Sequence, residues 1–142
     1  MTPAILTALF LTTSMQFDLP QGLLNSLCMV ESGHNINAVH KNDGQGNSVG
    51  LCQIKLKTSR WLGFKGTEKQ LMDPKTNIYY AAKYLAKNRT RYNGNLTKAI
   101  IAYNIGNAKG LTSTKYSAKV LSQWRMNNVR QPTAISCIEK RY

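Results

Sequence analysis

Six carboxylates occur in this chain of 142 residues: Asp18, Glu31, Asp43, Glu68, Asp73 and Glu139. Glu31 is the one placed for acid chemistry. It stands in Glu31-Ser32-Gly33, at the end of an apolar stretch with helical spacing. A carboxyl group protonates a leaving oxygen near neutral pH only if it keeps its own proton there. Burial against apolar or aromatic groups penalises the charged form and lifts a Glu to about 6. A solvent-facing Glu in the last turn would instead oppose the helix dipole. Glycosidic cleavage commonly uses a second carboxylate about 5 to 9 Å away, as nucleophile or base. Asp18 and Asp73 read as helix caps, Glu68 lies in a polar connecting segment and Glu139 in the tail. Asp43 follows Glu31 in the adjoining loop, although Asn42-Asp43-Gly44 is also an ordinary turn sequence. The census therefore favours chemistry with one carboxyl group.

Two more clusters accompany Glu31. Gly50-Leu51-Cys52-Gln53-Ile54 combines a glycine, which lets backbone approach a ligand closely, with a side-chain amide that both donates and accepts. Ser48 adds a hydroxyl just before it. Ala102-Tyr103-Asn104-Ile105-Gly106 closes an apolar helical stretch. Tyr103 falls on the apolar face after Leu96, Ala99 and Ile100, and a buried Tyr needs a partner for its hydroxyl. Asn104 can serve as a helix C-cap or as a polar group facing a ligand.

In this order the three clusters resemble the signature motifs of the lytic transglycosylase family, the soluble-lytic-transglycosylase or goose-lysozyme-like catalytic domain. Ala102-Tyr103-Asn104 matches the family's third motif as it stands. Gly50-Leu51-Cys52-Gln53 is similar to Gly-Leu-Met-Gln, with Cys52 in place of Met. Asp73-Pro74 with Asn77-Ile78 supports the likeness, which covers about residues 18 to 127. The resemblance implies a mainly α, lysozyme-like fold with an active-site cleft and little or no β. It implies cleavage of the peptidoglycan bond between N-acetylmuramic acid and N-acetylglucosamine, with Glu31 as acid and then base and a 1,6-anhydro product. By the same resemblance Ser48, Gly50, Leu51, Gln53, Tyr103 and Asn104 serve the glycan, and the Tyr103 hydroxyl orients Glu31. No cofactor or metal is implied. A goose-type muramidase would share the fold and hydrolyse the same bond, with Asp43 placing a water.

The elements that must position these groups are mostly helical. Asp18-Leu19-Pro20 reads as a helix start, and Leu23, Leu24, Leu27, Cys28 and Val30 follow with helical spacing up to Glu31 and Gly33. Residues 34–48 read as a polar loop; its Asn- and Gly-rich turns would admit a β-hairpin, but the flanks lack strand alternation. Helices are expected around 54–61, from Asp73-Pro74 onward, from Leu96 to Asn104 and over 113–127, the last with Tyr116, Val120, Leu121 and Trp124 inward. The expected division is an N-terminal apolar segment over 1–16 (a signal-like leader or an extra helix), a catalytic domain over 17–128 and a tail over 129–142. The first basic side chain is Lys41, so a leader would lack a charged start.

The formal charge of +13 arises largely from a lack of acids. None lies between Asp73 and Glu139, a stretch holding eleven Lys or Arg. Such a surface concentrates polyanions: nucleic acid, anionic lipid or an anionic cell wall. No phosphate-cradling glycine loop, aromatic RNA-binding pattern or zinc finger is present, so specific nucleic-acid binding is not expected, and a basic nucleic-acid-binding protein is the alternative reading of the charge. The expected partner is the glycan strand, met by a monomer in the periplasm, at the cell envelope or on a phage virion, with a secretion or conjugation apparatus as a further expected setting. Three cysteines allow one bridge without identifying it, and Cys28 reads as a small core hydrophobe.

Overall fold

The computed structural model describes residues 1–42 and 45–130. Asp43 and Gly44 of the expected turn, Cys137 and the expected tail from residue 131 lie outside the described residues. The element order is α1 (Pro3–Gln16), α2 (Leu23–Ser32), β1 (Val39–His40), β2 (Ser48–Val49), β3 (Ile54–Lys55), α3 (Leu56–Trp61), α4 (Glu68–Leu71), α5 (Pro74–Arg91), α6 (Leu96–Ile105) and α7 (Lys115–Arg130). The architecture is mainly helical, as expected from the sequence.

Helix α2 runs through the centre. Its Leu23, Leu24, Leu27 and Cys28 are fully buried and share one core with Ile78, Ala81, Ala82 and Leu85 of α5, Ala99 and Ile100 of α6 and Val120 of α7. Phe10 of α1 joins the same core. A second, smaller core of Val49, Ile54, Leu62 and Leu71 lies under the sheet and α3.

The start of α2 differs from expectation. Asp18 does not cap it; the N-cap is Gly22. Arg89 of α5 donates to the carbonyls of Phe17 (3.2 Å) and Asp18, and Leu19 is buried. The chain is thereby held in a turn, with Asp18 at φ 53°, until Leu23 enters the core. By contrast, Asp73 does cap α5: its carboxylate accepts from the Thr76 amide at 3.1 Å. Asn95 likewise caps α6.

A small antiparallel sheet, β1-β2-β3, has Val39 opposite Val49 and Val49 opposite Ile54; β1 lies and β2 begins in the expected loop, and β3 takes the first two residues of the stretch expected to be helical, so that α3 starts at Leu56. Each strand has two residues, too few for alternation to show in sequence.

Asn77 joins the helical and sheet halves. It is fully buried, and its amide nitrogen donates to the carbonyls of Val49 (2.9 Å) and Leu71 (3.0 Å). Its oxygen accepts from the Cys52 amide at 2.8 Å. Replacing Asn77 by Leu strands three buried backbone groups at once. The expected loss is about 2 to 4 kcal/mol, measurable as a lower urea midpoint.

Candidate active site

Glu31 occupies the last turn of α2. Gly33 ends the helix in the left-handed conformation, φ 63°, with its amide on the Met29 carbonyl. The neighbouring Ser32 hydroxyl donates to the Leu51 carbonyl at 2.6 Å, which binds the helix end to the Gly50-Leu51-Cys52-Gln53 segment. A disulfide between Cys28 and Cys52 makes a second, covalent tie one turn earlier. Cys28 is thus a bridge partner and not merely a small core side chain. Cys52 is fully buried.

Gly50 and Leu51 are buried and lie behind the cleft. Gly50 has φ 78°, and a Cβ there would meet the Asn77 side chain at 2.4 Å. Its lack of a side chain therefore admits Asn77; the close approach expected toward a sugar is not its role in this geometry. Gln53 itself takes φ 51°, and its amide nitrogen donates to the carbonyls of Ala38 (3.1 Å) and Gly50 (3.0 Å). Both side-chain N–H groups have backbone partners, so the group Gln53 brings to the cleft is its acceptor oxygen.

Tyr103 is 8% exposed, and its hydroxyl donates to the Cys52 carbonyl at 2.5 Å. The bond expected from Tyr103 to Glu31 is made instead by Tyr116 of α7, whose hydroxyl donates to Glu31 Oε1 at 2.5 Å. Tyr103 positions the second motif's backbone, and Tyr116 holds the carboxyl group. Sequence placed Tyr116 on the inner face of its helix but gave no sign of its partner, 85 residues away. Asn104, next to Tyr103, is exposed at the cleft edge.

Glu31, Ser48, Gln53, Tyr103 and Asn104 line one open cleft of about 450 Å³. Asn42, Gln45, Lys55, Thr58, Tyr84 and Gly106 complete much of its wall; of these, only Gly106 belongs to one of the three clusters. Among the described residues Glu31 is the only carboxylate lining it. No group of His, Cys, Asp and Glu among them could hold a metal ion.

Burial raises the Glu31 carboxyl from 4.5 to about 7, and the Tyr116 bond opposes that rise in part. Burial, reinforced by the charge on Glu31, pushes the Tyr103 and Tyr116 phenols up, so both remain donors at any working pH. Since Tyr116 favours the ionised form of Glu31, Tyr116→Phe should raise the Glu31 pKa by about one unit. The alkaline limb of a pH–rate profile should then move upward by that amount, an outcome that a purely structural role for Tyr116 would not produce.

The transglycosylase SLT domain model matches residues 8–125. An endo-type membrane-bound lytic murein transglycosylase A of Salmonella typhimurium is 38% identical over 71 residues, 45% of this chain and 33% of that protein. Among solved structures, the 70 kDa soluble lytic transglycosylase Slt70 of Escherichia coli superimposes with a TM-score of 0.74 at 20% identity, covering 91% of this chain and 25% of that one. An inactive mutant of the lytic transglycosylase Slt of Pseudomonas aeruginosa gives 0.71 at 23% identity, covering 87% and 24%. The chain thus spans about a third of the curated relatives it matches and about a quarter of these solved chains. The solved structures carry the fold, lysozyme-like and helical. The family match runs through Glu31, the Cys52 loop and Tyr103 alike, and by it the chain belongs to the transglycosylase SLT domain family.

Proposed function

We propose that this chain is a peptidoglycan lytic transglycosylase that breaks the β-1,4 bond between N-acetylmuramic acid and N-acetylglucosamine. The observation that carries this reading is a single cleft carboxyl raised to about 7 by burial. Glu31 gives its proton to the glycosidic oxygen as the bond to the muramic C1 breaks. The same group, now a carboxylate, takes the proton from that sugar's 6-hydroxyl as its oxygen closes on C1. Glu31 ends as it began, no water is added and the product is a 1,6-anhydro sugar. Such reciprocal use of one group suits a pKa near the working pH. The substrate's N-acetyl group is available to stabilise charge at C1. Tyr116 steadies the carboxylate between the two steps.

The disulfide fits an oxidising compartment outside the cytoplasm. The charge of +13 suits an anionic wall, and the relatives' names point to the cell envelope. Among the described residues no helix is long and apolar enough to cross a membrane. Local wall opening, for phage infection, conjugation, secretion or pilus assembly, is the role this reading assigns, carried out by a monomer.

Mass spectrometry of muropeptides released from purified peptidoglycan tests the reaction. Ends carrying 1,6-anhydro-muramic acid support it. Reducing ends with one added water would instead make the chain a muramidase. They would bring Asp43, which lies in the connection that also carries Asn42 and Gln45 of the cleft wall, into the reaction.

A further inference from the structure

Helix α1 is apolar on two sides, and the fold covers one of them. Phe10 enters the main core, and Leu6, Leu9 and Phe17 pack against it. The other side carries Ala4, Ala8, Leu11 and Met15 at intervals of three or four residues, with Ile5 alongside, so that they form one stripe. Ile5 is 52% exposed, Leu11 45% and Met15 73%. No charged side chain occurs between Pro3 and Gln16. A helix apolar all round is ordinarily buried all round. Beside the stripe lies a groove of about 400 Å³ walled by Leu9, Phe64, Tyr79 and Tyr80, with the exposed Lys75 also lining it. Tyr79 and Tyr80 join Phe17 to Phe64 through edge-on ring contacts, centroids 5.0 to 5.2 Å apart. No acidic residue lines this groove, and Asp73, two residues before Lys75, is engaged in capping α5.

A second copy of this chain fits the stripe poorly. By helix geometry α1 is about 21 Å long and about 10 Å wide, a face of about 200 Å². A stable protein interface takes about 800 Å² from each partner. Two copies at +13 also repel each other. A lipid surface meets neither obstacle. Insertion of an apolar helix face scales with the area it buries, and anionic headgroups attract a chain of this charge. Tyr and Lys beside an apolar face suit the headgroup level, with ring or stem in apolar surroundings and the polar end in water. The body of the domain takes the place of the polar side that an interfacial helix otherwise carries itself. We infer that α1 docks on an anionic lipid surface through Ile5, Leu11 and Met15, with Tyr79, Tyr80 and Lys75 at headgroup depth. The attachment is peripheral and reversible, and it is independent of what the cleft cuts. It keeps the enzyme beside the layer of wall nearest the membrane.

The test is co-sedimentation of the full chain with vesicles of phosphatidylglycerol and phosphatidylethanolamine, beside vesicles of phosphatidylcholine alone. The parent should bind the anionic vesicles. Ile5→Gln/Leu11→Gln/Met15→Gln leaves the charge unchanged and should weaken that binding about tenfold or more. Its release of muropeptides from lipid-free peptidoglycan should stay within about twofold of the parent's, which also shows that it folds. Lys75→Gln should weaken vesicle binding by a smaller factor, about fivefold. A parent that binds no vesicles would overturn the inference. A triple variant that binds as the parent does would overturn it too, leaving charge alone as the attraction. A parent that elutes as a dimer, with the triple variant a monomer, would give the face to a second copy instead. Met15→Trp, at the most exposed of the three positions, supplies a second reading. Its added emission should shift to the blue on anionic vesicles, and an unshifted emission would remove α1 from the bilayer.

Discussion

Glu31→Gln should release no soluble muropeptide from purified peptidoglycan, with turnover down about a thousandfold or more, while the protein folds and still binds the wall. The amide keeps the size of the side chain and can accept the Tyr116 hydrogen bond, but it has no proton to give at the pH of the assay. The same substitution should stabilise the fold in a pH-dependent way. Below 4.5, Glu31 is protonated both folded and unfolded, and the two proteins should be alike. Between 4.5 and about 7 the unfolded chain loses this proton and the folded one keeps it, so parent stability falls as pH rises. Gln does not titrate. Well above pH 7 the variant should therefore exceed the parent by about 3 kcal/mol, read from urea unfolding at several pH values. Parent activity should follow the acid form and decline as pH rises through about 7. Undiminished turnover in the variant would remove Glu31 from the reaction. Equal stability at pH 4 and pH 8 would show that the carboxyl group is not buried as described.

Removing the disulfide is the second large change. Its two cysteines are 24 residues apart, and closing a loop of that size restricts the unfolded chain by about 3 kcal/mol. Cys28→Ala/Cys52→Met, which places at 52 the residue usual in the family, should lower the melting temperature by about 10 °C. Reducing agent should lower the parent's melting temperature similarly and leave the variant unmoved. Activity should fall as well, because the bridge sets α2 against the segment that carries Gln53 and the Tyr103 acceptor. A parent indifferent to reductant, in stability and in rate, would mean that the Ser32, Asn77 and Tyr103 hydrogen bonds suffice to hold that segment.

The parts of this arrangement that were legible in sequence are those set by nearby residues. Asp73-Pro74 begins α5 as a cap where expected, and α6 starts at Leu96 as expected, because such starts are set by residues within one turn. Gly33 and Gly106 end α2 and α6 for the same local reason. Glu31, Ser48, Gln53, Tyr103 and Asn104 meet at one cleft. Failures came where distant residues decide. Arg89 overrides the cap pattern at Asp18. Asn77 dictates the shape at Gly50, and Tyr116 takes the contact with Glu31 that was expected of Tyr103. With three cysteines in the chain, nothing in their spacing singled out the pair that lies within reach. An apolar groove beside the cleft went unread because Lys57, Trp61, Lys87 and Arg91 come together only when α3 and α5 pack.

The Cys28–Cys52 bond also changes the topology of the cleft. Residues 28–52 form a covalent ring that contains Glu31, both strands of the β1–β2 pair and the wall residues Asn42, Gln45 and Ser48. A backbone cut between Lys41 and Asn47 would open that ring without separating the acid from the rest of the enzyme. Insertions there only enlarge a ring already closed, and each doubling of its length costs about 0.6 kcal/mol. One wall of the cleft is consequently free to lengthen and diversify, while the helix that carries Glu31 keeps its position.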